Sequence, residues 1–306
     1  MANRLILQEP IINLANQMKY TPKELNGNVN VSKNSPLKEF FILLGGALGL
    51  LMLTYIALGF AVDLIIPRLP SGTEQRLSAL FVDKFSQKKP TPVEQQLQQL
   101  LDSLVATLPQ ETNTAYQVHI ISSKQANALA LPGGHIIVLS GLLKELNSEN
   151  ELALVLSHEI GHFVNRDHLR RLGRGLVLSA LSIFLTGLDN SVTQFLMQSL
   201  LNVELKFSRD QEIKADLYAL ELLHKRYGHV AGATDFFAKI AAQNVHNRLS
   251  YYFATHPYPQ DRIVALQDQI QKKGYILGEK TALNHLFKQL PEATEEVSLK
   301  DLFSAT

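Results

Sequence analysis

The chain has 306 residues, a formal net charge of +1 and no cysteine. This length holds one sizeable catalytic domain with accessory segments, and the charge balance gives no basis for a nucleic-acid partner or strong electrostatic steering. Without cysteine there are no disulfides, no thiolate metal ligands and no cysteine nucleophile.

Residues 1–39 are polar, with Asn26-Gly27 and Ser35-Pro36 as punctuation. They read as a partly disordered tail with a short helix around Ile11 to Met18. Phe40 to Val62 carries no charge. As a helix it is about 34 Å long, enough to cross a hydrocarbon core of roughly 30 Å. The long polar leader argues against a cleaved signal peptide. Residues 40–62 are therefore expected to be a single transmembrane anchor. Lys23, Lys33 and Lys38 precede it, and Arg68 and Arg76 follow. The positive-inside rule then places the N-terminus inside and the remaining domain on the extracytoplasmic, periplasmic side.

Residues 63–92 contain Pro67, Pro70, Pro90 and Pro92 and read as a linker with a helical piece around Glu74 to Phe85. The main domain is expected over 93–273. Val93 to Leu108 has the spacing of an amphipathic helix. Tyr116 to Ser122 and His135 to Leu139 read as strands, separated by a turn-rich loop, Asn127 to Gly134. Gly141 to Leu146 and Ser148 to Val164 read as helices, the second with Ser148 and Glu151 as a capping box. Gly175 to Leu188 and Ser191 to Val203 are apolar, and each is too short to cross a bilayer. They are either a helical hairpin packed on the domain or one dipping into the membrane surface, with Arg170, Arg171 and Arg174 suited to lipid phosphates. Glu204 to Lys225, Thr234 to Gln243 and Asp261 to Lys273 are further helices. Residues 274–306 form a weakly patterned C-terminal segment. The fold class expected is mainly α with a small β-sheet, α+β.

The chemistry centres on His158-Glu159-Ile160-Gly161-His162. On a helix the two histidines lie one turn apart on the same face, so both imidazoles can reach one zinc at roughly 2.0–2.1 Å. Glu159 is rotated by about 100° and flanks the metal, as suits a general base for an attacking water. A catalytic zinc needs a third protein ligand. His168 stands six residues after His162, at metzincin spacing. Glu212 is the other candidate, with Asp216 on the same helix face to hold a ligand histidine through its free N–H.

His158-Glu159-x-x-His162 followed by Glu212-x-x-x-Asp216 resembles the gluzincin metallopeptidases of the CAAX prenyl-protease and HtpX type. Asn127-Ala128-Leu129-Ala130-Leu131-Pro132-Gly133-Gly134 looks like that family's cleft loop. Ser208-Arg209-x-x-Glu212-x-x-Ala215-Asp216 looks like its second-helix signature, and His256-Pro257 with Arg262 its His-Pro element. His135 stands where an aromatic residue is expected. The resemblance covers roughly residues 93–270. It implies a zincin-like domain with one zinc per chain on His158, His162 and Glu212, and leaves His168 as a charge at a helix end. Asn127, Ala128, Leu129 and Ala130 would form the rim, where an extended peptide adds to an exposed strand edge. His256 would hydrogen-bond the oxyanion or take the fourth zinc position at rest. Arg262 would meet a substrate carbonyl or pair with Asp210 or Asp216.

The function expected is a membrane-anchored zinc endopeptidase acting on misfolded or membrane-associated proteins, in protein quality control. The alternative is a membrane-tethered chaperone or assembly factor that keeps the zinc fold and cleaves little.

Overall fold

The computed structural model describes residues 35–82, 89–108, 114–187, 207–242 and 250–291. The chain divides into two units, Met1–Met52 and Leu53–Thr306. The expected short helix at Ile11 to Met18 and the apolar stretch Ser191 to Val203 lie outside the described residues.

Helix α1, Pro36–Ile65, contains the expected span and extends it at both ends. None of its residues is buried, and among the described residues it is the one helix long and apolar enough to cross a membrane. A 3-10 turn, Ile66–Arg68, ends it where Pro67 removes a backbone donor. The linker then forms helix α2, Ser71–Val82.

The domain core begins with α3, Pro92–Val105, which opens on a complete capping box between Thr91 and Glu94. Its Leu97, Leu100, Leu101 and Leu104 are buried. Three strands follow: β1, Gln117–Ile121; β2, Ala128–Leu131; and β3, His135–Leu139. Their order is β1-β3-β2, with β3 parallel to β1 and antiparallel to β2. Strand β2 was not expected, since 127–134 reads as a loop. Ala128-Leu129-Ala130-Leu131 lacks β-branched and aromatic residues, so its strand character comes from pairing and burial rather than propensity. The turn into β3 is made by Gly133 and Gly134 at φ +87° and +88°, a region side chains avoid. Ala128 and Ala130 face the main core, while Leu129 and Leu131 join Ile137 and Leu139 on the opposite side of the sheet.

Seven helices follow among the described residues. They are α4, Ser140–Glu145; α5, Glu149–Val164; α6, Asp167–Thr186; α7, Arg209–Tyr227; α8, Asp235–Ala242; α9, Ser250–Thr255; and α10, Pro259–Lys273. The short α9 was not expected. Ser148 caps α5 by accepting from Glu151 N–H, but the Glu151 carboxylate turns to Asn147 N–H instead of closing the box on Ser148. Helix α5 is the centre of the core. Its Leu152, Val155 and Ile160 share one cluster with Leu220 and Leu223 of α7, Phe236 and Phe237 of α8 and Leu266 of α10. Residues 274–291 stay on the domain. Ala282 bridges to Ser148, Thr281 N–H donates to Asn150 at 2.7 Å, and Phe287 is buried in the same core.

Candidate metal centre

Helix α5 buries every residue from Asn150 to Phe163, so the two histidines of its last turns point into protein rather than solvent. Helix α7 starts from a reciprocal box between Ser208 and Gln211, which puts Glu212 in its first turn and Asp216 one turn later. The two helices can approach because Gly161 has no side chain. A Cβ there would lie 2.9 Å from Ala215 Cα and 3.0 Å from its carbonyl oxygen.

The result is a group of four potential ligands, His158, His162, Glu212 and His256, whose donor atoms lie within 4.8 Å of one another. His158 Nε2 and His162 Nε2 are 3.1 Å apart. The Glu212 carboxylate is 3.6 Å from the first through Oε2 and 3.4 Å from the second through Oε1. A tetrahedral zinc with bonds of roughly 2.0–2.1 Å has edges of about 3.3–3.4 Å between ligand atoms. The spacing and the donor types, two imidazoles and a carboxylate, both fit that ion.

The far nitrogens of the histidines are held by carboxylates. His158 Nδ1 donates to Asp216 Oδ1 at 2.8 Å and His162 Nδ1 to Asp167 Oδ2 at 3.1 Å, leaving both Nε2 atoms facing the cluster. Burial pushes the His158 pKa down, against the pull of Asp216. Burial opposes charge on His162 too, but Asp167, Glu212 and Glu159 outweigh it and raise the pKa to about 9. Burial would raise the Glu212 and Asp216 carboxyls. Arg262, with the neighbouring histidines, instead holds Glu212 well below the usual range and Asp216 also below it.

Glu159 is fully buried and neither of its oxygens has a hydrogen-bond partner. His256 Nε2 is 3.6 Å from Glu159 Oε1, and His256 Nδ1 is 3.1 Å from Glu212 Oε1. An unpartnered carboxylate beside a cluster of ligand atoms is placed to take a proton from a molecule entering there.

Some expectations need correction. Of the partners expected for Arg262, the structure shows Asp216 and not Asp210. Arg262 is fully buried beside the cluster, donates to both oxygens of Asp216 at 2.7 and 2.8 Å, and sits 2.6 Å from Glu212 Oε2. His168 is not at a helix C-terminus but in the first turn of α6, where a cation opposes the dipole; its Nε2 hydrogen-bonds Glu74 at 2.8 Å. The rim residues Asn127, Ala128, Leu129 and Ala130 are buried rather than exposed, although β2 is an outer strand of the sheet. Asn127 Nδ2 donates to Thr255 Oγ1 at 3.3 Å, tying the start of β2 to the end of α9 just before His256.

Three residues at the site were missed. Asp167 holds His162, and a carboxylate shortly after a ligand histidine was a usable signal. Phe207 stacks on the His162 ring at 3.8 Å and 14°, and Tyr252 on His256 at 4.6 Å and 21°. Neither contact has a sequence signature, because each depends on chain segments meeting in space.

The family model for peptidase family M48 matches residues 91–270, more than half of the chain. Mitochondrial metalloendopeptidase OMA1 of Arabidopsis thaliana is 31% identical over 154 residues, 48% of this chain and 30% of that protein. Metalloprotease LoiP of Escherichia coli (strain K12) is 31% identical over 166 residues, 52% of this chain and 64% of that protein. The beta-barrel assembly-enhancing protease of Yersinia pestis is 25% identical over 210 residues, 62% and 42% respectively. The chain spans less than two thirds of the length of each of these relatives.

Proposed function

The chain belongs to peptidase family M48, and from that we propose that it is a zinc-dependent endopeptidase, anchored by α1, that hydrolyses peptide bonds of misfolded or membrane-associated proteins. The charge pattern around α1 favours a protease domain on the extracytoplasmic side. The observation that carries the reading is the convergence of His158, His162 and Glu212 beside the unpartnered carboxylate of Glu159.

His158, His162 and Glu212 would hold one zinc, supported by Asp216 and Asp167. Bound there, zinc would supply Lewis acidity towards both the scissile carbonyl and an attacking water. Glu159 takes the proton from that water and returns it to the leaving amine. His256, stacked on Tyr252, would donate to the developing oxyanion; without substrate it would close the fourth ligand position. Residues 127–130 would pair with an extended substrate once the chain around β2 makes room.

Casein cleavage and zinc content, measured on four proteins, test this. Glu159→Gln should lose activity by about 10²–10⁴-fold and still hold zinc. Glu212→Gln should lose zinc, whereas His168→Ala should keep it. Equal cleavage by wild type and Glu159→Gln would instead support a tethered chaperone that cleaves little, and a zinc-loaded Glu212→Gln would overturn the ligand set.

A further inference from the structure

We infer that the second half of α6 is embedded in the lipid bilayer beside α1, so that the metal centre is fixed close to the membrane surface. This rests on the reading of α1 as an anchor.

The contacts between the two helices give their directions. Arg166, in the left-handed conformation that links α5 to α6, donates to the carbonyls of Ile66 and Leu69 at 2.9 and 2.8 Å. Arg170 Nε is 3.7 Å from Asp63 and Arg174 donates to Asp63 at 2.8 Å. A Cβ on Gly173 would meet Val62 at 2.9 Å. As the numbers rise along α6, those of its partners fall. The helices are antiparallel where they meet, so beyond Arg174 α6 continues away from Asp63 against the chain direction of α1.

From Gly175 to Gly187 α6 has no charged residue. Its outer face carries Leu176 at 62% exposure, Ile183 at 37% and Phe184 at 82%, continuous in character with Leu53 of α1 at 66%. Its two serine hydroxyls are not left to solvent: Ser179 Oγ donates to the Gly175 carbonyl at 2.9 Å and Ser182 is buried. A helix with its own backbone bonds satisfied, serine hydroxyls bonded or buried and a large apolar face suits hydrocarbon and not water. The stretch Gly175 to Thr186 is about 18 Å long, so it enters a bilayer core of roughly 30 Å without crossing it. The arginines that the sequence offered to lipid phosphates are engaged otherwise. Arg170 and Arg174 pair with Asp63, and the Arg171 guanidinium lies 4.4 Å over the Phe207 ring. Apolar burial, not phosphate binding, is what holds this segment in the membrane.

The consequence for substrates follows from a short relay. His162 donates to Asp167, Arg170 bonds Asp167 at 3.1 Å, and Arg170 reaches Asp63 at the foot of the anchor. The centre therefore meets peptide segments lying at the bilayer surface.

Because the chain has no cysteine, single substitutions give unique labelling sites. The full chain carrying Phe184→Cys, Leu53→Cys or Gln271→Cys is labelled with bimane and reconstituted in phosphatidylcholine vesicles whose acyl chains are brominated. Loss of fluorescence is expected at 184 and 53 and not at 271. Quenching at 53 without quenching at 184 overturns the inference and leaves the anchor standing. Quenching at neither position removes both. Protection of 184 from an impermeant maleimide without quenching means that protein covers it, which also overturns the inference. Wild-type zinc content in Phe184→Cys confirms the fold, and Leu176→Cys on the same face repeats the test if that variant does not fold.

Discussion

Arg262 is a fully buried cation that pairs with two carboxylates, Asp216 and Glu212, and also donates to the His256 carbonyl at 3.3 Å. Removing it leaves two desolvated negative charges beside the candidate metal ligands. Arg262→Met should therefore cost about 3–5 kcal/mol by urea unfolding and lower zinc affinity, because the Asp216 that orients His158 is no longer fixed. Arg262→Lys should recover only part of either loss, since an ammonium cannot make the paired bonds to Asp216. Unchanged stability in Arg262→Met would show that the carboxylates have another partner. At His256 the expected result is different. His256→Ala should keep zinc and lose turnover by about 10²–10³-fold, the scale of one oxyanion donor. Unchanged turnover with zinc retained would remove His256 from the reaction. At this scale the sequence was most informative where candidate ligands share a helix. His158, Glu159 and His162 follow from a one-turn spacing, and Glu212 with Asp216 from another. Asp167 needs the tight turn at Asn165 and Arg166 to reach back to His162, and Phe207 and Tyr252 need the chain to close on itself.

Two elements, α5 and α7, must come close enough for a carboxylate of one to complete the pair of imidazoles on the other. At Gly161 against Ala215 that approach leaves no room for a side chain. Gly161→Val should push the helices apart, cost about 1–3 kcal/mol, and reduce zinc below one per chain. Full zinc occupancy in that variant would show that the approach is not what sets the cage. The sheet carries a separate, pH-dependent contribution. His119 Nε2 and His135 Nδ1 are 3.0 Å apart, and Ser78 Oγ is 3.3 Å from His135 Nε2. Burial lowers the pKa of both histidines, and their proximity lowers that of His119 further. The unfolded chain then takes up protons first. Stability contributed by this pair is present above pH ~6.5 and declines as pH falls from there towards the folded pKa values. His135→Phe should make this decline shallower in thermal melts between pH 7 and 5, and an unaltered slope would assign the acid sensitivity elsewhere. The elements most legible in the sequence were those with strong periodicity, α3, α5 and β3. Strand β2 escaped because its alanines and leucines have no β preference of their own, and α9 because it is only six residues long.

At the scale of the molecule, the site is not an addition to the core but part of it. Glu159, Glu212 and Asp216 are three fully buried carboxylates; Arg262 pairs with Glu212 and Asp216, and Arg171 acts on Glu159 and Glu212 through its charge. A divalent ion on His158, His162 and Glu212 would offset much of the remaining negative charge, in a place from which water is excluded. Burial of unbalanced charge is costly, so the fold and the ion should be thermodynamically linked. An ion that binds only the folded chain stabilises it by RT ln(1 + [L]/Kd), about 4.1 kcal/mol at a thousandfold excess over Kd. For a domain of this size each kcal/mol moves Tm by roughly 2–4 °C, so chelation should lower Tm by about 10 °C. The same treatment of Glu212→Gln should shift Tm far less, because that variant has little metal to lose. A Tm unmoved by chelator in the wild-type chain, with metal loss verified, would mean that the protonated His162 already balances the site and that the fold does not depend on the ion.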